Sequence, residues 1–230
     1  MNKYAACMKL NWPNYKGDRA LRIFDEEGVQ FGSFQLKNPD LSPSPIYFNL
    51  RIPKDGGWLT QCTIDMVAID LFLALDNTPR DGLIAGIPKA GVPIAAAYYN
   101  FMNRVRVPNR FLKLANFEKK ENNGERRIAV FCSSVHGRVL VIDDVISSAD
   151  TMLEAAKAVE EAGCTVSAFA VYIDREQGGK ERLEARGYKI VSVYKISELL
   201  EFYMNLDLIT QEKYNEVMRY IERTKKIIAQ

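Results

Sequence analysis

Apolar and polar positions along this chain switch repeatedly between a helical period and short continuous apolar runs. Leu59 to Leu75 carries apolar residues at helical spacing. After it the pattern alternates: strand Leu83 to Ala85, helix Val92 to Met102, strand Arg110 to Leu114, then a polar loop from Asn116 to Arg127. Strand Val139 to Asp143, helix Thr151 to Ala162, strand Val166 to Ile173, helix Gly179 to Ala185 and strand Lys189 to Val193 follow. Two helices, Ser197 to Met204 and Thr210 to Lys226, close the chain. Strands that alternate with helices predict an α/β fold with a doubly wound, mainly parallel sheet. Before Leu59 the pattern is less regular. Residues 1–17 have no clear period and read as an irregular lead-in, and Ala20 to Glu27 reads as a short helix stopped by Gly28. Val29 to Leu36 and Ile46 to Arg51 are strand-like, and Pro39, Pro43 and Pro45 between them cannot donate to a sheet interior.

The 230 residues suit one α/β domain with a small appendage, and 31 Lys+Arg against 29 Asp+Glu leave a net charge of only +2. No global field therefore argues for a nucleic-acid or membrane partner. Cys7, Cys62, Cys132 and Cys164 are scattered, which predicts neither a disulfide framework nor a zinc site. Tyr4-Ala5-Ala6-Cys7 has the look of a lipoprotein cleavage site but lacks the apolar stretch that goes with one, and the run Met66 to Leu75 is broken by Asp70. A cytoplasmic protein is the expectation.

The chemistry concentrates in Val139 to Thr151. Apolar residues make a buried strand, Asp143 and Asp144 sit at its carboxyl end, and Val145, Ile146, Ser147, Ser148, Ala149, Asp150 and Thr151 lead into a helix. Open α/β sheets bind ligands at that edge. A helix N-terminus reached through a narrow loop offers N–H groups to a phosphate. Carboxylates beside a phosphate repel it, so the acid pair must face sugar hydroxyls or a magnesium ion.

This run resembles the signature of the type I phosphoribosyltransferases, which bind 5-phosphoribosyl 1-diphosphate. The resemblance implies that Asp143 and Asp144 meet the ribose hydroxyls, and that Val145 and Ser147, Ser148, Ala149, Asp150 and Thr151 hold the 5-phosphate. Three further segments are similar to orotate phosphoribosyltransferases. Phe31 to Lys37 with Tyr47 to Arg51 resembles their N-terminal region, where the lysine and aromatics line the base and diphosphate side; this assigns Lys37 to the diphosphate and Tyr47 and Phe48 to the base. Gly86 to Ala95 resembles the diphosphate loop, with Lys89, Ala90 and Gly91 as its contacts. Asp174 to Gly179 resembles the base-reading segment, with Arg175 placed to meet orotate's carboxylate, a pairing that suits a guanidinium fork. The family also implies an N-terminal hood region over 1–56, a core over 57–195 and C-terminal helices over 196–230. It implies a homodimer, and magnesium carried by the diphosphate with no direct protein ligand.

The departures lie on the base and diphosphate side. Orotate enzymes show Arg-Lys-Glu, then Lys, then His or Tyr with Gly on a loop that closes from the partner subunit. Counting back from Gly137, those positions fall on Glu118, Lys119, Lys120, Asn122 and Gly124. Lys119, Lys120 and Arg126 remain as candidate cations for the diphosphate, the two lysines with Lys37 and the acid pair as catalytic candidates. Asn38-Pro39-Asp40 stands where Ser-Gly is usual, and Lys89 where tyrosine is common. The expected activity is transfer of phosphoribose to orotate. Transfer to another base, or donor or nucleotide binding without efficient turnover, are the alternatives.

Overall fold

The structure, a computed structural model, describes residues 2–35, 42–53, 56–75, 82–105, 112–122, 125–131 and 137–228. For residues 112, 116, 118–122 and 125–131 it describes the backbone alone. The chain runs α1 (Lys3–Lys9), α2 (Asn14–Asp25), β1 (Val29–Phe34), β2 (Ser44–Phe48), α3 (Gln61–Ala74), β3 (Gly82–Gly86), α4 (Gly91–Arg104), β4 (Leu112–Asn122) and β5 (Glu125–Phe131). It continues through β6 (Arg138–Ile146), α5 (Asp150–Glu161), β7 (Thr165–Asp174), α6 (Gly179–Glu184), β8 (Ile190–Lys195), α7 (Ile196–Asn205) and α8 (Gln211–Ile228).

Six strands form one sheet in the order β5-β4-β3-β6-β7-β8, parallel throughout except for β5. Side chains alternate across the strands, so each strand feeds two cores. Ile84, Leu140, Ile142, Ala170 and Tyr172 join α3, α4, α7 and the N-terminal helices on one face. Leu83, Ala85, Val139, Val141, Phe169 and Val171 meet α5 and Leu183 of α6 on the other. The expected doubly wound α/β sheet is present. Among the described residues no helix is long and apolar enough to cross a membrane.

Three expectations need correction. The lead-in over 1–17 is helical: α1 and α2 fold against α7, and α2 starts at Asn14 rather than Ala20. The seven residues of α1 are too few to show a period, and its buried face is only Ala6 and Cys7. Gly17 lies inside α2 because a Cβ there would stand 2.3 Å from Cys7 Sγ and 3.2 Å from the Phe202 ring. Next, β2 spans Ser44 to Phe48 and contains Pro45. Its two-stranded sheet with β1 has only edges, and the pairing shifts register between Phe31 and Phe34, opposite this proline. Finally, the polar loop over 116–127 is largely an antiparallel hairpin, β4 with β5, paired from Asn116↔Phe131 to Asn122↔Glu125. Its run of charges hid the strands.

One buried charge ties the N-terminal helices to the sheet. Asp70 on α3 is 3% exposed, pairs with Arg19 Nε at 2.9 Å and accepts from Tyr172 Oη at 3.1 Å. Burial outweighs both partners and pushes this carboxyl from 3.8 up to about 6. The folded chain then holds the proton more tightly than the unfolded chain. This group's contribution to stability is full below about pH 4 and is lost as pH rises through about 6. Wild type should lose roughly 3 kcal/mol more than Asp70→Asn between pH 4 and 7, at about 1.4 kcal/mol per unit. Urea melts across that range check this, and parallel pH profiles for the two proteins would contradict it.

Candidate active site

The parallel strands bring three segments to one sheet edge. β3 ends in register with β6 at Gly86↔Ile142, whereas β6 stays paired with β7 as far as Ile146↔Asp174. Asp143 to Ile146 therefore stand beyond the end of β3, on the carboxyl edge. Asp143 accepts the Asp144 N–H at Oδ1 (2.9 Å), and Asp144 accepts the Val145 N–H in the same way (2.9 Å). These contacts fix both carboxylates at the strand end. Burial pushes the Asp144 carboxyl above the usual range, countered by the hydrogen bond with Asp143, the Val145 N–H and the positive charge of Arg51. Such a pair favours ligands that donate hydroxyls or bring a cation.

After β6 the chain turns tightly through Ser147 and Ser148 to Ala149, whose backbone is left-handed (φ 67°, ψ 7°). No side chain caps α5 at this point. Its first-turn N–H groups are thus left without a side-chain acceptor, an arrangement that suits an anion. Ser148 Oγ donates to Asp150 Oδ2 at 2.6 Å.

The turn from β3 to α4 packs backbone to backbone on the same strand end. Ile87 N–H donates to the Ile142 carbonyl (2.9 Å), and Gly91 N–H to the Ile87 carbonyl (3.0 Å). A Cβ at Gly91 would lie 2.4 Å from Ile142 O, and one at Gly86 would lie 2.2 Å from Gly91 O. Glycine at both positions lets this turn lie against Asp143, with Ala90 buried, Lys89 exposed and the Pro88–Lys89 peptide cis.

β7 supplies the third wall. Arg175 N–H donates to the Ile146 carbonyl (3.0 Å), which joins this segment to the loop after the acid pair. The Arg175 side chain is buried. Its Nη2 donates to Ser44 Oγ at 2.9 Å, and its Nε has no hydrogen-bond partner among the described residues. Burial lowers this guanidinium to about 10, so it is charged at neutral pH with no carboxylate paired to it among the described residues. Asp174 and Glu176 serve the backbone instead: Asp174 Oδ1 accepts from Glu176 N–H (2.8 Å), and Glu176 Oε2 from Ser197 N–H (3.0 Å). Tyr47 stacks on Phe34 with ring centres 5.4 Å apart, while Phe48 is packed in the core. Lys37 lies outside the described residues. Lys119, Lys120 and Arg126 lie on the hairpin, where Lys120 pairs with Arg127 and Arg126 with Glu121 along the backbone. The six residues of β4 after its last pairing with β3 reach roughly 20 Å past the sheet edge, at about 3.3 Å each.

The phosphoribosyl transferase domain model matches residues 64–201. The orotate phosphoribosyltransferase of Pyrobaculum islandicum is 30% identical over 195 residues, 84% of this chain and 92% of that protein. The chain belongs to the orotate phosphoribosyltransferase family. Uridine 5'-monophosphate synthase of Bos taurus is 28% identical over 215 residues, which are 93% of this chain but 42% of that longer protein. The solved structure of Leishmania donovani UMP synthase superposes with a TM-score of 0.72 at 28% identity, over 90% of this chain and 42% of that chain.

Two residues of this family member escaped the sequence reading. Arg51 acts on Asp144 across the site, and Arg182 of α6 reaches the loop after β6, donating to the Ser148 carbonyl and to Asp150 Oδ1 (2.8 Å). Arg51 ends the Tyr47 to Arg51 segment but had no role assigned there, and Arg182 stands in no motif; the tertiary fold brings both to the acid pair and its loop. Gly91→Ala should cost about 2–3 kcal/mol by overpacking and displace the turn from Asp143. Thermal and urea melts check this, and wild-type stability in the variant would contradict the close approach.

Proposed function

We propose that this protein transfers the phosphoribosyl group of 5-phosphoribosyl 1-diphosphate to orotate, giving orotidine 5-phosphate and diphosphate in pyrimidine biosynthesis. The observation that carries the base assignment is Arg175: a buried guanidinium, joined through Ile146 to the phosphate loop, without a carboxylate among the described residues. A buried charge left without a counter-ion is costly, and an anionic base would repay that cost.

In this reading the loop from Ser147 to Thr151 holds the donor's 5-phosphate, and Asp143 and Asp144 hold the ribose hydroxyls. Their negative charge also favours the positive charge that develops on the ribose as the C1–diphosphate bond breaks. The backbone of Lys89, Ala90 and Gly91 receives the diphosphate. Lys37, Lys119, Lys120 and Arg126 supply the cations toward which its charge grows. Tyr47, with the more open ring, belongs to the base side; Phe48, expected there too, is packed in the core instead. Holding C1 between the leaving oxygen and the ring nitrogen supplies most of the rate, because positioning and electrostatics dominate such transfers.

Among the described residues no group of three or more metal-ligating side chains occurs. In this reading magnesium arrives on the diphosphate and needs no direct protein ligand, which leaves Asp143 and Asp144 to the ribose hydroxyls. Magnesium carried by the diphosphate would supply charge neutralisation at the leaving group. The working form in this reading is a cytoplasmic homodimer.

The test follows diphosphate release by purified protein with magnesium, the donor and a panel of bases. Orotate-dependent release is the expected result. Release with another base alone, or donor binding without release, would overturn it. Arg175→Ala should raise the KM for orotate about 100-fold, the scale of a lost charged hydrogen bond, and shift the donor KM far less. Equal losses for both substrates would remove Arg175 from the base site.

A further inference from the structure

The phosphate loop of this chain contains an acid where a phosphate must dock. Asp150 is the first residue of α5, so the chain carries a carboxylate at the helix start whose N–H groups would receive the phosphate. Burial alone would raise this carboxyl, but the Ser148 hydroxyl and the Arg182 guanidinium outweigh it and hold it below the usual carboxylate range. Asp150 is thus ionised near neutral pH, and an ionised carboxylate beside a dianionic phosphate is repulsive.

Arg182 faces this charge from the neighbouring element. Its Nη1 donates to Asp150 Oδ1 at 2.8 Å and to the Ser148 carbonyl, the peptide that leads into the left-handed turn at Ala149. The start of α6 is docked on the same loop: a Cβ at Gly179 would lie 2.3 Å from the Ser147 carbonyl oxygen. The arginine therefore stands on an element packed directly against the loop. As a contribution to stability the pair counts for little, since the side chains of Arg182 and Asp150 are 32% and 71% exposed. Its place beside the phosphate position gives it another use.

We infer that Arg182 is the counter-charge of the phosphate loop: it neutralises Asp150 and fixes the Ser148 carbonyl, so that the donor's 5-phosphate meets a loop without excess negative charge. This rests on the reading that Ser147 to Thr151 hold that phosphate. Arg182 is a positioning residue, acting through Asp150 and Ser148. Two further consequences follow. Removing the acid should tighten donor binding, and removing both partners should restore it.

Calorimetric titration of the full chain with 5-phosphoribosyl 1-diphosphate and magnesium tests this in wild type, R182A, R182K, D150N and R182A/D150N, with thermal melts alongside. R182A should weaken donor affinity about 10-fold and D150N should strengthen it about 3-fold, with the double variant returning to within about 3-fold of wild type, effects on the scale of one charge-assisted contact. R182K should recover part of the loss. High ionic strength should shrink every difference, and the melting temperatures should stay close together. A donor affinity untouched by R182A, or lost in R182A and not recovered by adding D150N, would overturn the inference alone. Wild-type protein that binds no donor would overturn the phosphate reading of the loop, and this inference with it.

Discussion

The close approach of two backbones at the end of β6 is the constraint on which the site depends. The turn after β3 lies against Ile142 and Asp143 with no space for a side chain at Gly86 or Gly91. That contact sets the position of the Lys89–Gly91 backbone relative to the acid pair. If the turn moved by the width of a methyl group, the Lys89–Gly91 backbone would lose its place against Asp143. Glycines here serve interatomic distance, and the parallel register of β3 and β6 fixes where on the sheet edge that distance is set.

Around that contact the charges are set in advance for something absent from the chain itself. Asp144 is pushed up by burial and Arg175 is pulled down by it. Arg175 has Ser44 for one nitrogen and no described partner for Nε. Groups held in such a state cost folding energy, and they are common where a ligand completes the set. The contrast with Asp70 is informative. Asp70 has both an arginine and a tyrosine and links helices to the sheet. Burial looks alike at the two places; what separates them is the opposite charge, which Asp70 has in Arg19 and Arg175 lacks among the described residues.

Much of this was legible in the sequence because the signals were local. The run from Val139 to Thr151 contains strand, acid pair, turn and helix start within thirteen residues, and the structure places them in that order at the sheet edge. Gly86 and Gly91 were legible as a turn, but not the reason for them, which is a carbonyl on another strand. The hairpin over 116–127 was missed although Asn123-Gly124 is a strong two-residue turn signal; the charges on either side of it masked the strands. α1 and the start of α2 were missed because the apolar face of this region is completed by residues roughly 180–190 positions away, such as Phe202 and Tyr203. Arg182 belongs to no motif and was out of reach for the same reason, while Arg51 lay in a quoted segment that carried no sign of its effect on Asp144.

The central claim is that one sheet edge holds a phosphoribosyl donor, with its phosphate on the start of α5 and its ribose on the acid pair. A crystal structure of the protein soaked with ribose 5-phosphate tests this most directly. The account predicts phosphate density on the N–H groups of Ala149 to Thr151, with the 2- and 3-hydroxyls of the sugar donating to Asp143 and Asp144. Sugar phosphate bound at another place, or bound here with its ribose turned away from both carboxylates, would contradict it.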